Sequence, residues 1–465
     1  MGNTVHLPLA PVAQGIMDAL RDAGGRPLIV GGAVRDAVLG AASKDCDIEV
    51  YGLSVREIEA ALAVFGEVNA VGSSFGVLKL TLSNGDNLDI SLPRRENKAG
   101  KGNRGFQVAC DPTMTHREAV SRRDFTMNAL AFDPASGCVL DSFGGREDLA
   151  AGILRHTSPA FAEDPLRVLR GFQFAARFQL RLAEETVVLC QSLLPEASAL
   201  PVERVWGEWE KWAAKGTHPS AGLRVLRETD WLSLYPELAA LVGCDQDAQW
   251  HPEGDAWEHT LHVCDAAARG AARDNLHGDA RLVLLFAALC HDLGKPTTTV
   301  VGEDSRIRSP GHEKAGVGTA RAFLQRIGAP ERIIKRVLPL VAEHMAHNGL
   351  PAEPRPVRRL AKRLAPATIQ ELARVVEADH SGRPPLVGGV PENMQAILSL
   401  AEGLSADRGA PAHILMGRHL IEDLGLMPGP QFGEILKAAY AAQLDGAFID
   451  LDGALAWVRW TLRAE

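Results

Sequence analysis

One stretch constrains the fold more than any other: Leu28 to Val50, LIVGGAVRDAVLGAASKDCDIEV. Its pattern predicts a strand, a glycine turn, a helix, and a second strand carrying Asp45-Cys46-Asp47. Side chains alternate across a strand, so Asp45 and Asp47 share one face, roughly 6.6 Å apart along it. Two carboxylates placed this way suit a divalent cation, or two cations about 3.5–4 Å apart. Gly31-Gly32 stands where bare backbone N–H groups at a helix start can meet a phosphate. Arg35 adds a planar fork for phosphate oxygens. A lone D-x-D is most often two surface aspartates. With the glycine pair and Arg-Asp within the same short span, the pattern points to chemistry on a nucleoside triphosphate.

At 465 residues the chain exceeds one small core and is expected to form two to four domains. Its net charge of −9 excludes a broadly basic nucleic-acid binder, so any RNA contact must come from local patches. The seven cysteines form no C-x-x-C framework, and the N-terminal MGNTVHLPLAPVAQG has no signal-peptide apolar core. Reduced thiols in the cytoplasm are therefore expected. No apolar run reaches membrane-spanning length, so no membrane partner is expected.

Residues 11–23 read as a short helix ended by Gly24-Gly25. GVLKLTL (76–82) and NLDISL (87–92) read as two strands joined by an Asn84-Gly85 turn. Asp89 in the second is either a third carboxylate or a structural partner for an arginine. RRENKAGKGNRGF (94–106) reads as a mobile basic loop, or as a solvated hairpin tip. In SRRDFTMNALAFD a helix is expected from Phe125, leading into a strand. There Arg123 can reach a triphosphate and Asp124 a ribose hydroxyl, unless Asp124 simply caps a helix.

From Glu147 onward the pattern is helical. Asp164-Pro165 opens a helix on which Arg167, Arg170, Gln173 and Arg177 fall within about 120° of one another. Such a stripe can meet a base edge and phosphates, or be solvated surface. Trp206, Trp209, Trp212 and Trp231 read as core rather than a stacking platform.

Between 245 and 385 lie His259 and His262 in WHPEGDAWEHTLHV, and His291-Asp292 after the apolar LLFAALC. His312, His344 and Asp379-His380 follow. A lone buried histidine usually satisfies a core hydrogen bond. This many imidazoles and carboxylates together suit a hydrolytic metal centre of Mn, Ni, Fe, Mg or Zn. RPVRRLAKR (355–363) can set Arg355, Arg359 and Lys362 on one face, as solvated surface or as a contact to a phosphate backbone. SGRPPLVGGVP (381–391) reads as a linker, and the tail is helical with no catalytic constellation.

GGAVRDAVLGAASKDCDIEV, RRDFTMNAL and SPAFAEDPLRVLRGFQFAARF resemble the class II tRNA nucleotidyltransferases, whose head is shared with bacterial poly(A) polymerases. WHPEGDAWEHTL and CHDLGKP resemble the HD domain fused to that head in bacterial multifunctional CCA proteins, and MGRHLIEDLGLMPGPQFGEIL is similar to their tails. The matches span roughly residues 28–435. The resemblance implies an α+β chain: a polymerase-beta-like mixed α/β head, then all-helical neck, body and HD domain. The expected divisions are head 1–150, neck 151–244, HD domain 245–385 and helical tail 386–465.

By the same resemblance, Asp45 and Asp47 hold Mg²⁺, Gly32 and Arg35 contact nucleotide phosphates, and Arg123 and Asp124 meet phosphate and ribose. Asp164 and Arg167 act as the amino-acid template for C or A, with Arg170 beside them. Gln173 departs from the family's usual arginine, and the loop at 94–106 argues for terminal A addition. His259, His291, Asp292 and Asp379 match the H…HD…D pattern, with His312 and His344 as candidates for a second ion: Ni, Mn, Fe or Mg. The implied partners are tRNA, ATP and CTP. The implied activities are CCA addition and hydrolysis of 2′,3′-cyclic phosphates at RNA ends. A poly(A) polymerase, an A-adding enzyme, or a phosphohydrolase with an RNA-binding head are the competing expectations.

Overall fold

A computed structural model describes residue 7 and residues 10–41, 47–69, 77–82, 87–98 and 106–464. Two compact units divide the chain: Met1–Ala175 with Gln179–Pro201 and Glu228–Asp230, and Val202–Arg227 with Ala176–Phe178 and Trp231–Glu465.

The first unit is built on β1 (Arg26–Val30), β2 (Asp47–Tyr51), β3 (Gly66–Asn69), β4 (Val77–Leu82) and β5 (Asn87–Ser91). It also holds β6 (Arg94–Lys98), β7 (Phe106–Cys110), β8 (Ala131–Asp133) and β9 (Cys138–Leu140). Seven of these form one sheet in the order β3-β4-β5-β2-β1-β8-β9. All its pairings are antiparallel except β2 with β5. The apolar run of β1 buries all but its first residue, and Leu28 and Val30 pack with Tyr51 and Ala131. β2 enters the sheet from an exposed Asp47 and is buried from Ile48 on. The strand thereby presents its acidic end at the sheet rim, beside the turn that leads from β1 into the helix Gly32–Val38.

At two places the structure departs from the first-named expectation, and at the first of them it follows the hairpin alternative. The basic stretch at 94–106 is not loop at its flanks: β6 and β7 pair in register from Arg94↔Cys110 to Lys98↔Phe106. Alternating backbone pairing there overrides a composition rich in glycine and charge. The helix expected from Phe125 is a single 3₁₀ turn, Thr126–Asn128, before β8. Asp89 sits opposite Lys79 in the β4–β5 register. The Asn84-Gly85 turn lies outside the described residues.

In the second unit Trp209, Trp212 and Trp231 are fully buried, as a core reading requires. Trp209 meets Tyr235 edge-on at 5.1 Å and Phe323 at 5.3 Å, and its indole N–H donates to Tyr235 Oη. Around this core pack the helices Ala256–Arg273, Gly278–Cys290, His312–Arg326, Glu331–Glu343 and Ile369–Ser381. Gly278–Cys290 is buried from Arg281 onward, which its unbroken apolar run demands. Cys290 is part of that packing.

The basic face on the helix Pro354–Leu364 is exposed, as the solvated-surface reading expects. Arg355 and Arg359 both bind the Asp445 carboxylate, with Nε–Oδ1 distances of 2.9 and 2.7 Å, and Lys362 lies over the Tyr440 ring. These are surface contacts to the tail, and all three cations stay exposed. The tail has its own small core of Leu415, Leu420, Phe448, Leu455 and Val458. Among the described residues no helix is long and apolar enough to cross a membrane.

Candidate active sites

In the first unit the glycine pair does what its position demands. Gly31 has φ +77°, and a Cβ on it would lie 3.3 Å from Asp47 Oδ2 and 3.7 Å from Arg123 Nη1. The carboxylate of β2 and the guanidinium from the residue 121–133 segment therefore converge on bare backbone. Gly32 lies against Arg35 in the same way, its Cβ position 3.2 Å from Arg35 Nη2. Asp45 lies outside the described residues.

Arg35 is buried and held on two sides. Its Nε and Nη2 donate to Asp36 Oδ1 at 2.9 and 2.7 Å, and its Nη1 donates to Asn128 Oδ1 at 2.7 Å. Asn128 in turn donates to Asp124 Oδ1 at 3.0 Å, and Arg170 Nε donates to Asp124 Oδ2 at 2.7 Å. The guanidinium carbons of Arg35 and Arg170 lie 5.6 and 5.3 Å from the centre of the Phe174 ring. Burial works to raise the Asp124 carboxyl, but the Arg170 charge and the bonds from Asn128, Arg170 and Phe125 N–H hold it below the usual range. Asp124 is thus the hub of a network rather than a plain helix cap. Asn128 and Phe174 were not singled out from the sequence, whereas Gly31 was, in the Gly31-Gly32 pair. Asn128 follows Asp124 by one helical turn, which was the available signal.

The helix Leu166–Phe178 begins with Pro165 at its N-cap, and Asp164 Oδ1 accepts from Leu166 N–H at 3.1 Å. Arg167 spends two donors on backbone carbonyls: Nη1 to Ala160 at 2.7 Å and Nη2 to Arg122 at 2.8 Å. The stripe is therefore not a uniform solvated row. Arg167 ties the helix to the preceding segments while Arg170 joins the Arg35–Asn128–Asp124 chain. Gln173 is 3% exposed.

The second unit gathers every HD candidate. Ala256–Arg273 carries His259, Gly278–Cys290 delivers His291-Asp292 at its end, His312 starts its helix, and His344 and Asp379 lie at the ends of theirs. The last helix position before Gly382 is Ser381. Gly294 allows this convergence, since a Cβ on it would stand 2.1 Å from the His312 carbonyl oxygen.

The imidazoles are aimed by their Nδ1 atoms. His291, His312 and His344 direct Nδ1 at the carbonyls of Ala288, Ser309 and Val341, at 2.8, 2.8 and 2.7 Å. His259 directs Nδ1 at Glu253 Oε1, 2.7 Å away. An Nδ1 that donates leaves an Nε2 lone pair in the neutral ring. Yet His259 Nε2 is 3.3 Å from His291 Nε2, and His312 Nε2 is 3.1 Å from His344 Nε2. Facing lone pairs at these distances require a positive charge between them. Ligands bound at about 2.1 Å to one first-row ion stand about 3 Å apart, so the donors fit a metal. Asp292 joins the two pairs, with Oδ2 3.1 Å from His291 Nε2 and Oδ1 3.2 Å from His312 Nε2. Asp379 Oδ1 is 3.1 Å from His259 Nε2. The ligand atoms of His259, His291 and Asp379 lie within 4.8 Å of one another, as do those of Asp292, His312 and His344.

Burial works to raise Asp292, but the charges of His291 and Lys295 and bonds from His291 and His312 hold it well below the carboxylate range. Asp379 is likewise held well below, by His259 and His291 against the effect of burial. One buried and one partly buried anion among imidazoles complement a divalent cation. Burial, with the charges of His291 and His312, pushes His344 down to about 3. Glu253, Lys295 and His251 were missed from sequence. Lys295 Nζ is 2.7 Å from Asp292 Oδ2, and His251 shares Glu253 Oε1 with His259. All three lie within or beside the quoted motifs. His262 belongs to none of the converging groups among the described residues. A cavity of about 560 Å³ opens on Asp292, His312, His344 and Asp379.

These two sites and folds define a nucleotidyltransferase head in one chain with a metal-ligating helical domain. The poly A polymerase head domain family matches residues 28–155, and the HD domain family matches residues 256–380. A multifunctional CCA protein of Xanthomonas campestris pv. campestris (strain B100) is 39% identical over 428 residues, 90% of this chain and 97% of its own. One from Xylella fastidiosa (strain 9a5c) is 39% identical over 366 residues, 76% of this chain and 83% of its own. The Bacillus stearothermophilus CCA-adding enzyme in complex with CTP shares the fold at TM-score 0.64 and 23% identity, covering 98% of this chain and 99% of that one. The chain belongs to the multifunctional CCA protein family.

Proposed function

We propose that the head adds C, C and A to tRNA 3′ ends from CTP and ATP. The observation that supports this reading most directly is the convergence of Asp47 and Arg123 on Gly31, beside the Arg35–Asn128–Asp124–Arg170 chain. Asp45 and Asp47 would hold Mg²⁺, which when bound supplies Lewis-acid activation of the RNA 3′-hydroxyl and neutralises the pyrophosphate. Arg35 and Arg123, with the N–H groups of the Gly31-Gly32 turn, bind the triphosphate. Asp124 fixes Arg170 toward the nucleotide. Asp164 and Arg167 set the edge that C or A must match. Arg167 does so as a side chain locked by two carbonyls, so the template is rigid. The division into head 1–150, neck 151–244, HD domain 245–385 and tail 386–465 belongs to this proposal, as does a cytoplasmic location.

The converging Nε2 pairs favour a second activity, phosphoester hydrolysis in the HD domain. His259, His291, Asp292 and Asp379 would hold one ion, and Asp292, His312 and His344 a second. Either would be Ni, Mn, Fe or Mg and would activate water when bound. Glu253 orients His259, and Lys295 orients Asp292.

The test uses tRNA transcripts lacking CCA, ending in C, or ending in CC, with Mg²⁺ and labelled CTP or ATP, singly and together. Two C and one A added in order is the expected result. A added only to the CC end marks an A-adding enzyme, long A tails mark a poly(A) polymerase, and no incorporation overturns the head assignment.

A further inference from the structure

Strand β2 carries another carboxylate, which the metal and nucleotide assignments leave over. Side chains alternate across a strand, so Glu49 shares a face with Asp47, about 6.6 Å further along it. Asp47 is exposed at the rim, whereas Glu49 is buried, opposite Leu28 of β1 and Ser91 of β5. Its Oε2 accepts from Tyr51 Oη at 2.5 Å. Burial, with the charge of Glu49, pushes the Tyr51 phenol up, so the hydroxyl stays a donor. That bond satisfies one oxygen but leaves the charge uncompensated, and a buried charge needs an opposite partner. Two nearby basic side chains do not serve. Arg26, opposite Tyr51 in the β1–β2 register, donates to Asp133 Oδ2 at 2.9 Å, and burial pushes the His116 imidazole down, so it stays neutral. Arg123 does: its Nη2 stands 4.0 Å from Glu49 Oε1, while its Nη1 donates to the Asn128 carbonyl at 3.3 Å. At 4.0 Å the pair is an attraction between charges and not a hydrogen bond. The guanidinium is thus drawn to one place with N–H groups left for phosphate oxygens. That place is the Gly31 turn, where Arg123 Nη1 lies 3.7 Å from the Cβ position.

Resting on the transferase reading of the head, we propose that Glu49 is a positioning residue for Arg123. From inside the sheet it holds the guanidinium against the Gly31 turn, where the triphosphate arrives, and Tyr51 keeps the carboxylate aimed. Glu49 touches neither nucleotide nor metal and acts only through Arg123. A carboxylate this close to a triphosphate also repels it, and the two effects have opposite signs. If holding Arg123 dominates, loss of the Glu49 charge weakens nucleotide binding; if repulsion dominates, the loss tightens it.

The experiment measures incorporation of CTP into tRNA lacking CCA, and of ATP into tRNA ending in CC, by the full chain with Mg²⁺. The chains compared are native, Glu49→Gln, Arg123→Ala and the double variant. Each is also titrated calorimetrically with CTP and ATP, so that an inactive Arg123→Ala still reports. Glu49→Gln is expected to raise KM for both nucleotides about tenfold, with kcat changed less than about twofold. In the Arg123→Ala background the same change should weaken binding no further, which a merely structural Glu49 would not show. An unchanged or lower KM in Glu49→Gln, or an equal loss without Arg123, overturns the proposal. Should Glu49→Gln fail to fold, Tyr51→Phe frees the carboxylate but keeps the ring. It is expected to raise KM about threefold, again only with Arg123 present, and no rise overturns the proposal. If the native chain incorporates neither nucleotide, the titrations separate the two claims. An affinity loss in Glu49→Gln that vanishes in Arg123→Ala keeps the role of Glu49 and overturns the transferase. Equal affinities, or no binding by the native chain, overturn the positioning role.

Discussion

Gly31 holds a conformation and a space that other residues cannot share. Its φ of +77° costs an L side chain about 1–2 kcal/mol, and a Cβ would press on Asp47 at 3.3 Å. Gly31→Ala is therefore expected to lower nucleotide incorporation roughly tenfold to a hundredfold, through displacement of Asp47 and Arg123. Incorporation kinetics with CTP would check it, with a melting curve to separate misplacement from unfolding. Glu253 carries a pH prediction. Burial works to raise its carboxyl, but hydrogen bonds with His251 and His259 bring it down to about 2. Its folded value lies below the ordinary 4.5, so its contribution to stability is present above that value and is lost as pH falls toward 2. In metal-free protein the stability gap between native and Glu253→Gln should close as pH falls from 4.5 to 2, by denaturant titration at each pH. A gap that does not narrow would show that Glu253 is not held as an anion.

Single elements carry the next set of consequences. The turn after His291-Asp292 works only because Gly294 lets the His312 backbone approach. Gly294→Ala must move one of them, at a cost of about 1–3 kcal/mol or more. It is expected to lower the metal content of the purified protein while the head still incorporates CTP, as read by elemental analysis beside the tRNA assay. The helix Pro354–Leu364 keeps its cations exposed, as its sequence suggests. Its pattern of cations is real, but Asp445, far along the chain, claims Arg355 and Arg359. These are exposed pairs, worth about 0–1 kcal/mol. Asp445→Ala should barely change stability, yet free two cations and strengthen salt-sensitive RNA binding; an unchanged salt slope would argue against any role for this face. The strand–turn–helix–strand start and the apolar helix before His291 were legible because local periodicity determines them. The β6–β7 pairing was legible only as one of two alternatives, because composition reports solvation while register is set by a partner strand. The Nε2 pairs could be listed as candidates from sequence. Their convergence, and the roles of Asn128 and Phe174, depend on segments far apart in the chain.

For the whole molecule, the two sites lie in different compact units and share no residue. Asp47→Ala is expected to abolish CTP and ATP incorporation with hydrolysis retained, and Asp292→Asn the reverse. Loss of both activities in either variant would reveal dependence between them. The order in which the chain is made adds a last consequence. The strands of the seven-stranded sheet are all synthesised by Leu140, but the chain from Arg35 through Asn128 and Asp124 is closed by Arg170 and backed by Phe174. A nascent chain on the ribosome would own its sheet well before it owned a nucleotide site. Partly made copies would then pass through a period in which they are folded yet inert, with no means of extending an RNA until the helix Leu166–Phe178 has cleared the exit tunnel.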